Sequence, residues 1–548
     1  MKQANNNKNI NLFENYFCRS HLKISKGKFG DFKHPWLNSS KRLNDIKNSL
    51  KLKKIVRAQL IKNLNEIHAE KYKEDYWKFV INPFLEKIIT TLYEIDCIFD
   101  KLKKENKKKL NFIYAKLNFK NINVDNYDEF TKTLDTIEIK SWITSMFYSY
   151  HFKKKNFKKN YYKKDTFLRN KRKILMPENF LTRIYNNIIL LFFRNFYLTE
   201  NKSLKYFFII ILKYKLIPFF ITEKINRVDL NEKTRSKFKF NLKNKKFQFV
   251  LNNILPKLIP KSYVENYKFI KKNNFNNFFL KRKTFFDDGV LVNSDCAKLF
   301  IANARSNNFI KFNMMQHGGA YQNKLHSYVI MEKNLSDKHL VWGTPIYSNQ
   351  MQFLSPHIKN MLNINNSNSE KIIMPISLPS LFSKNMSTSI SGKCYENYFL
   401  DLIIFLKTLN FEIRKNIIFR FPPGGKFLDY DLYIKKKFPE IKIDYGNKPL
   451  KNLLIKCKIS ICTVDSTTVL SSIVSGIPTI FFWRKNYFES QNFLNKEYLF
   501  FKKKKVFFND PKKAAQFLNK NNSKFVKIWK KLKNEKNYKS FLSKTCNL

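Results

Sequence analysis

Asp465-Ser466-Thr467-Thr468 is a run of small hydrogen-bonding side chains between the apolar strand residues Ile459, Ile461 and Cys462 and the periodic run Val469, Leu470, Ile473 and Val474. Side chains of this kind cap a helix where apolar periodicity begins. Gly476 then reads as a helix stop, and Ile477–Phe482 as a second buried strand. A helix N-terminus at the carboxyl end of a parallel strand offers unpaired N–H groups and a positive dipole end, which suit a phosphate or pyrophosphate. The same pattern also describes a well-capped helix that binds nothing.

A second candidate is Gln316-His317-Gly318-Gly319, directly after the strand pattern Ile310–Met315. An imidazole titrates near working pH, so His317 is a candidate general base for an acceptor hydroxyl. The two glycines would allow close approach of a substrate or of another stretch of backbone. A turn whose histidine merely satisfies a carbonyl would look the same. Arg420 ends the strand Ile417–Phe421, where a guanidinium can pair with a diphosphate and neutralise a leaving group, and the loop Pro422-Pro423-Gly424-Gly425 follows it. A surface arginine is the alternative. Glu332 and Asp337 follow the HGG loop and would either orient His317, contact an acceptor or serve as exposed caps. Asp287-Asp288 before Gly289 reads as a turn. No paired acid of DxD type follows an apolar strand, so no metal is expected.

Such loops need strands and helices to hold them. Residues 1–100 have helical spacing, with Leu60, Ile61, Leu64 and Ile67, then Tyr76, Trp77, Phe79 and Val80, and a helix after Pro83 through Phe84, Leu85, Ile88, Ile89 and Leu92. Residues 101–255 are expected to hold a variable Lys-rich insertion and part of a first domain. From 256 to 345 short strands alternate with helices: Gly289–Asn293 as a strand, a helix over Ser294–Ser306, strand Ile310–Met315 and strand His339–Gly343. The polar stretch 346–370 reads as a linker. A second alternating series fills 371–520, with strands at Lys371–Pro375, Ile417–Phe421, Ile441–Ile443 and Val506–Phe508, and 521–548 reads as a C-terminal helix. Alternation of this kind builds parallel sheets, hence an α/β fold of two Rossmann-like domains facing a cleft.

The net charge of +62 comes from 104 Lys and Arg against 42 Asp and Glu. Most of the cations are lysines, spread along the whole chain among Asn, Ile and Phe, whereas readers of base edges favour the arginine fork. The charge therefore reads as solvated background, with no specific nucleic-acid partner and with peripheral contact to an anionic membrane as a secondary expectation. The 7 cysteines have no CxxC pair and no histidines at zinc spacing, and the N-terminus lacks a secretory apolar core; a reduced, cytoplasmic setting is expected. The stretches Ile188–Phe193 and Phe207–Leu212 are too short to span a bilayer and read as core strands or helix faces.

Taken together, His34-Pro35-Trp36, Leu64–His68, Tyr76-Trp77, Gln316–Tyr321 (a QHGGxY motif), Glu332 with Ser336-Asp337, Trp342-Gly343, Ser466–Thr468, Ile477-Pro478-Thr479 and Phe482-Trp483 resemble a family of sugar transferases from bacterial surface-polysaccharide clusters. That family is distantly similar to capsule-synthesis and CDP-glycerol glycerophosphotransferase proteins of the GT-B fold. The resemblance implies a transferase, expected to be metal-independent from the missing DxD pair, that moves a sugar or polyol-phosphate from a nucleotide-sugar or CDP-polyol donor to a glycan or lipid-linked acceptor. It needs no cofactor beyond that donor. Together with the residue readings above, it gives His317 and Glu332 as expected catalytic residues, Arg420, Gly424, Gly425, Asp465, Ser466, Thr467 and Thr468 as expected at the donor, and Gln316, Gly318 and Gly319 at the acceptor or in the loop. Two positions depart from the family pattern: Ser471 stands where an acid is usual, and Ala320 where a third glycine is common. The competing class is an inactive relative or a basic protein that binds nucleic acid or a membrane surface.

Overall fold

The computed structural model describes residues 34–105, 122, 124–152, 180–200, 207–208, 210–222, 226, 228–273, 280–307, 310–324, 327–362, 369–377, 395–423, 430–487 and 492–548. The chain divides into two compact units. One comprises Asn44–Met315 with Ile330–His339; the other comprises 34–43, Gln316–Val329 and Leu340–Leu548.

The first sheet contains β1 (Asn195–Thr199), β2 (Ile217–Phe220), β3 (Lys283–Asp287), β4 (Ile310–Met315), β5 (Lys338–Val341) and β6 (Gln350–Gln352), in the order β2-β1-β3-β4-β5-β6. The second contains β7 (Ile372–Pro375), β8 (Ile417–Arg420), β9 (Lys442–Asp444), β10 (Ile459–Cys462), β11 (Thr479–Phe482) and β12 (Phe507–Phe508), in the order β12-β11-β10-β7-β8-β9. Every pairing of the second sheet is parallel, as are β1 with β2 and β3, and β3 with β4. Strands β7, β8, β10 and β11 are buried along their whole length, which is why they read as unbroken apolar runs rather than as alternating ones. The expected pair of Rossmann-like parallel sheets is present.

Three local expectations change. Gly289–Asn293 is not a strand: β3 ends at Asp287, and Val290–Asn293 forms a helical turn whose N–H groups the Asp287 carboxylate accepts. Pro83 does not begin a helix but lies inside a continuous one, Glu74–Glu105. An interior proline costs a helix about 3 kcal/mol, here offset by burial of Phe79, Val80, Phe84, Leu85, Ile88, Ile89 and Leu92. The C-terminal stretch is two helices, Phe525–Lys533 and Lys536–Cys546. The Lys153–Lys155 and Lys158-Lys159 runs fall outside the described residues.

The N-terminal motif residues brace this frame. Trp77 Nε1 donates to Asn65 Oδ1 at 2.7 Å, and the Tyr76 and Tyr267 hydroxyls meet at 2.8 Å. His68 Nε2 lies 2.9 Å from the Tyr263 carbonyl, and its ring stacks on Tyr267, which in turn stacks on Trp77. Burial pushes the imidazole below its usual pKa range, so it is held as a neutral packing group. In the other unit, Trp342-Gly343 has a comparable task. A Cβ on Gly343 would fall 1.9 Å from the Lys544 carbonyl oxygen, which accepts the Thr344 N–H at 2.9 Å. Only a residue without a side chain lets the C-terminal helix dock there.

Candidate functional site

In the second sheet the chain proceeds outward from β7 to β8 and β9, then returns to the other side of β7 with β10, β11 and β12. This is the 3-2-1-4-5-6 order of dinucleotide-binding folds, and the strand order reverses between β7 and β10. Ligands of open α/β sheets bind beyond the carboxyl ends of the strands at that reversal. Here the positions are Ile376-Ser377 after β7 and Thr463–Ser466 after β10. Tyr398, buried on helix Tyr395–Thr408, ties the two together: its hydroxyl accepts the Ser377 N–H at 3.0 Å and meets Thr463 Oγ1 at 2.7 Å. Sequence reasoning missed Tyr398 and Thr463, because an aromatic in an apolar helix and one more hydroxyl after a strand carry no distinguishing signal.

Helix Thr467–Val474 begins at the reversal. Ser466 is its N-cap, extended at φ −160° and ψ 176°, with Oγ accepting the Thr468 N–H at 3.3 Å. Gly476, with φ +77°, ends the segment as the sequence predicts. Asp465 is buried, and its carboxylate accepts from Asn323 Nδ2 at 2.8 Å while its carbonyl accepts from Lys324 Nζ. Burial pushes the Lys324 ammonium below its usual pKa, with the Asp465 charge opposing the shift. Asn323 and Lys324 lie more than a hundred residues from Asp465 in sequence, and only the fold reveals the pairing.

The same unit brings the QHGG loop onto this helix start. Gln316 holds the loop's shape: its Nε2 donates to the Gly318 carbonyl at 2.6 Å and its Oε1 accepts the Trp342 N–H at 2.8 Å. The Gly319 N–H donates to Thr467 Oγ1 at 2.7 Å. A Cβ on Gly319 would lie 2.7 Å from the Thr467 nitrogen and 2.8 Å from its Cα, so backbone meets backbone at a distance only glycine permits. A Cβ on Gly318 would meet nothing closer than 3.7 Å. Ala320 is left-handed at φ +66°, which accounts for the third glycine common at this position. His317 is exposed, with Nδ1 3.0 Å from the Tyr321 hydroxyl. The predicted base and the predicted anion site are therefore neighbours, and the HGG loop itself lines the helix N-terminus.

The other predicted residues have different surroundings. Arg420 is buried and committed to the frame, donating to the Asp444 carboxylate at 2.9 Å and to the Lys448 carbonyl at 2.5 Å. Asp444 also accepts the Gly446 N–H at 2.9 Å, and together these bonds fix the turn after β9. Glu332 is not an exposed cap: it is fully buried, with a carboxylate oxygen 3.7 Å from His339 Nε2. Asp337 pairs with Arg305 and accepts the Phe312 N–H at 2.8 Å. Ser471 Oγ lies 3.0 Å from His357 Nε2, whose ring stacks on Trp342. Gly424 and Gly425 fall outside the described residues. Among the described residues no cluster of three or more His, Cys, Asp or Glu is placed to hold a metal ion.

A hydroxyl-rich loop at the switch point of a six-stranded parallel sheet, with a second, histidine-bearing loop seated on it, is the candidate site of a two-sheet α/β protein. The chain belongs to the LIC12162 family of transferases, whose model matches residues 1–546. No curated protein matches it in sequence. Similar solved structures include a variant of the wall teichoic acid polymerase TagF soaked with CDPG, at 10% identity over 87% of this chain and 94% of that one, with a TM-score of 0.32. TarM matches at 15% identity over 51% of this chain, with a TM-score of 0.29, and the match spans 56% of TarM. A Thermobaculum terrenum O-GlcNAc transferase matches at 10% identity over 64% of this chain and 66% of that one, with a TM-score of 0.30.

Proposed function

We propose that this transferase moves a sugar or a polyol-phosphate from a nucleotide-activated donor to a surface glycan or a lipid-linked acceptor, using the β7/β10 switch point as its donor site. The observation that carries the reading is the seating of the HGG loop on the N-terminus of helix Thr467–Val474, through Gly319 and Thr467. The donor's phosphates lie beyond the carboxyl ends of β7 and β10, where the helix dipole and nearby N–H groups offset the charge that grows on the leaving group. His317 takes the proton of the acceptor hydroxyl as its oxygen bonds to the donor carbon or phosphorus, and the nucleoside diphosphate or monophosphate departs. Tyr321 positions the imidazole; Gln316 positions the loop. Arg420 contributes by fixing the β8–β9 end through Asp444 and Lys448, and Glu332, enclosed opposite His339, takes no part. No divalent cation is required in this scheme, and the reaction draws on the cytoplasmic nucleotide pool at the inner membrane face.

The test is a thermal-shift screen of the full chain against nucleotide sugars, CDP-glycerol and free nucleotides, followed by turnover with the stabilising donor. A donor that binds only the native state raises its melting temperature. His317→Ala should lower turnover by about 10²–10⁴-fold while the shift caused by the donor is unchanged. Undiminished turnover would remove His317 from the reaction, and a screen in which no nucleotide stabilises the protein would remove the donor site.

A further inference from the structure

Helix Phe180–Phe192 has two apolar faces, and only one of them is packed. The packed face docks on β2, the edge strand of the first sheet. Asn186 Nδ2 donates to the Phe220 carbonyl at 2.8 Å, Asn186 Oδ1 accepts the Phe220 N–H at 3.1 Å, and the Tyr185 hydroxyl donates to the Pro218 carbonyl at 3.2 Å. Ile189 and Leu190 are buried beside them. The other face is Leu181, Ile184, Ile188, Leu191 and Phe192, exposed by 72%, 38%, 49%, 54% and 74%. At about 100° per residue these five lie within an arc of about 100°. Phe193 extends the stripe, and Phe208 and Leu212 add exposed apolar surface on the segment whose Phe207 ring meets Tyr185. The sequence pattern reads Ile188–Phe193 as a core strand or a helix face; it ends a helix, with Ile189 and Leu190 buried and Ile188, Leu191, Phe192 and Phe193 exposed.

An exposed apolar stripe of this size on a folded protein marks a contact surface. Exposed cations accompany it: Arg183 lies on the same helix, Arg194 just beyond its end, and Lys215 just beyond the segment that carries Leu212. We infer that this face seats on an anionic lipid bilayer, with the helix lying along the interface, its apolar stripe at the acyl boundary and its basic residues among the headgroups. No described helix is long and apolar enough to cross a membrane, so the contact lies on the surface. A second copy of the chain is the poorer occupant, because each copy bears a net charge of +62 and like copies repel. The inference involves a different surface from the donor site and stands whether or not that site binds a nucleotide.

Flotation of the full-length protein with vesicles tests it. Wild type should float with phosphatidylcholine vesicles containing phosphatidylglycerol and stay behind with phosphatidylcholine alone. Leu191→Glu with Phe192→Glu should lower the bound fraction about tenfold or more at an unchanged melting temperature, since both side chains stand in solvent. Leu181→Gln with Ile188→Gln, on the same stripe, should act alike and guards against a folding artefact of the first pair. Wild type that ignores anionic vesicles, or variants that float as well as wild type because background lysines do the binding, would overturn the inference. So would a wild-type dimer by light scattering that the variants break into monomers without any vesicle binding.

Discussion

At the strand reversal of the first sheet, between β1 and β3, the chain places Asp287; at that of the second, between β7 and β10, it places Thr463 to Thr468. Asp287 is fully buried and turned back on its own chain, accepting from the N–H groups of Gly289, Val290 and Leu291 at 3.2, 2.8 and 3.2 Å. Burial pushes its pKa up to about 7, and neighbouring Asp288 adds to the rise while the three N–H donors oppose it. The first reversal thus spends its polar group on closing a turn. At the second, the polar groups belong to separate segments that meet: Ser377, Tyr398 and Thr463 across the strand ends, and Gly319 with Thr467 across the two loops. Polar groups gather at a switch point where distant segments converge on it, not because a strand happens to end in a polar residue.

Gly319→Ala should break the second reversal most severely. Its Cβ would press on the Thr467 backbone, which cannot rotate away, so the variant should lose about 1–3 kcal/mol of stability and its transfer activity. Gly318→Ala, whose Cβ has room, is the control, and equal melting temperatures for the two variants would show that the loop does not seat on the helix as described. Tyr398→Phe should act next, removing the acceptor for Ser377 N–H and the partner of Thr463. A loss of about 1–2 kcal/mol together with weaker nucleotide binding is expected; unaltered binding would place the ligand away from β7.

The first reversal is sharpened by pH. With a folded pKa of about 7 and an unfolded value near 3.9, Asp287 keeps its proton after the unfolded chain has lost it. Folding therefore becomes less favourable as pH rises from about 4 towards 7. The melting temperature of wild type should fall relative to Asp287→Asn across that window and run parallel to it above. A constant difference would mean that the three N–H groups hold an ionised carboxylate throughout. The smallest effect is Ala320→Gly, which relieves a left-handed alanine and should raise stability by about 0.5–1 kcal/mol, measured by denaturant titration.

The second sheet was largely legible in the sequence because its strands are buried on both faces and bounded by Gly, Pro and polar loops, as in Ile459–Cys462 and Thr479–Phe482. The first was less so. Val290-Leu291-Val292 is too short for its period to distinguish a strand from a helical turn, and the Asp287 carboxylate decides it. Pro83 misled because local propensity yields to a long buried face. Within the site, Ser466, Thr467 and the HGG glycines could be found from their types and spacing. Tyr398, Asn323 and Lys324 could not, since their partners are remote in the chain. Arg420 illustrates the converse: a strand-end arginine reads as a phosphate ligand, and only the fold reveals that it also binds Asp444 and the Lys448 carbonyl.

The central claim is that the β7/β10 reversal, and not the β1/β3 reversal, holds the donor. Hydrogen–deuterium exchange of the full chain, with and without the nucleotide that most raises its melting temperature, tests this directly. The account predicts slowed exchange in peptides covering Ile376-Ser377, Thr463–Leu470 and Gln316–Lys324, with those covering Asp287–Asn293 unchanged. Protection confined to Asp287–Asn293 would contradict it.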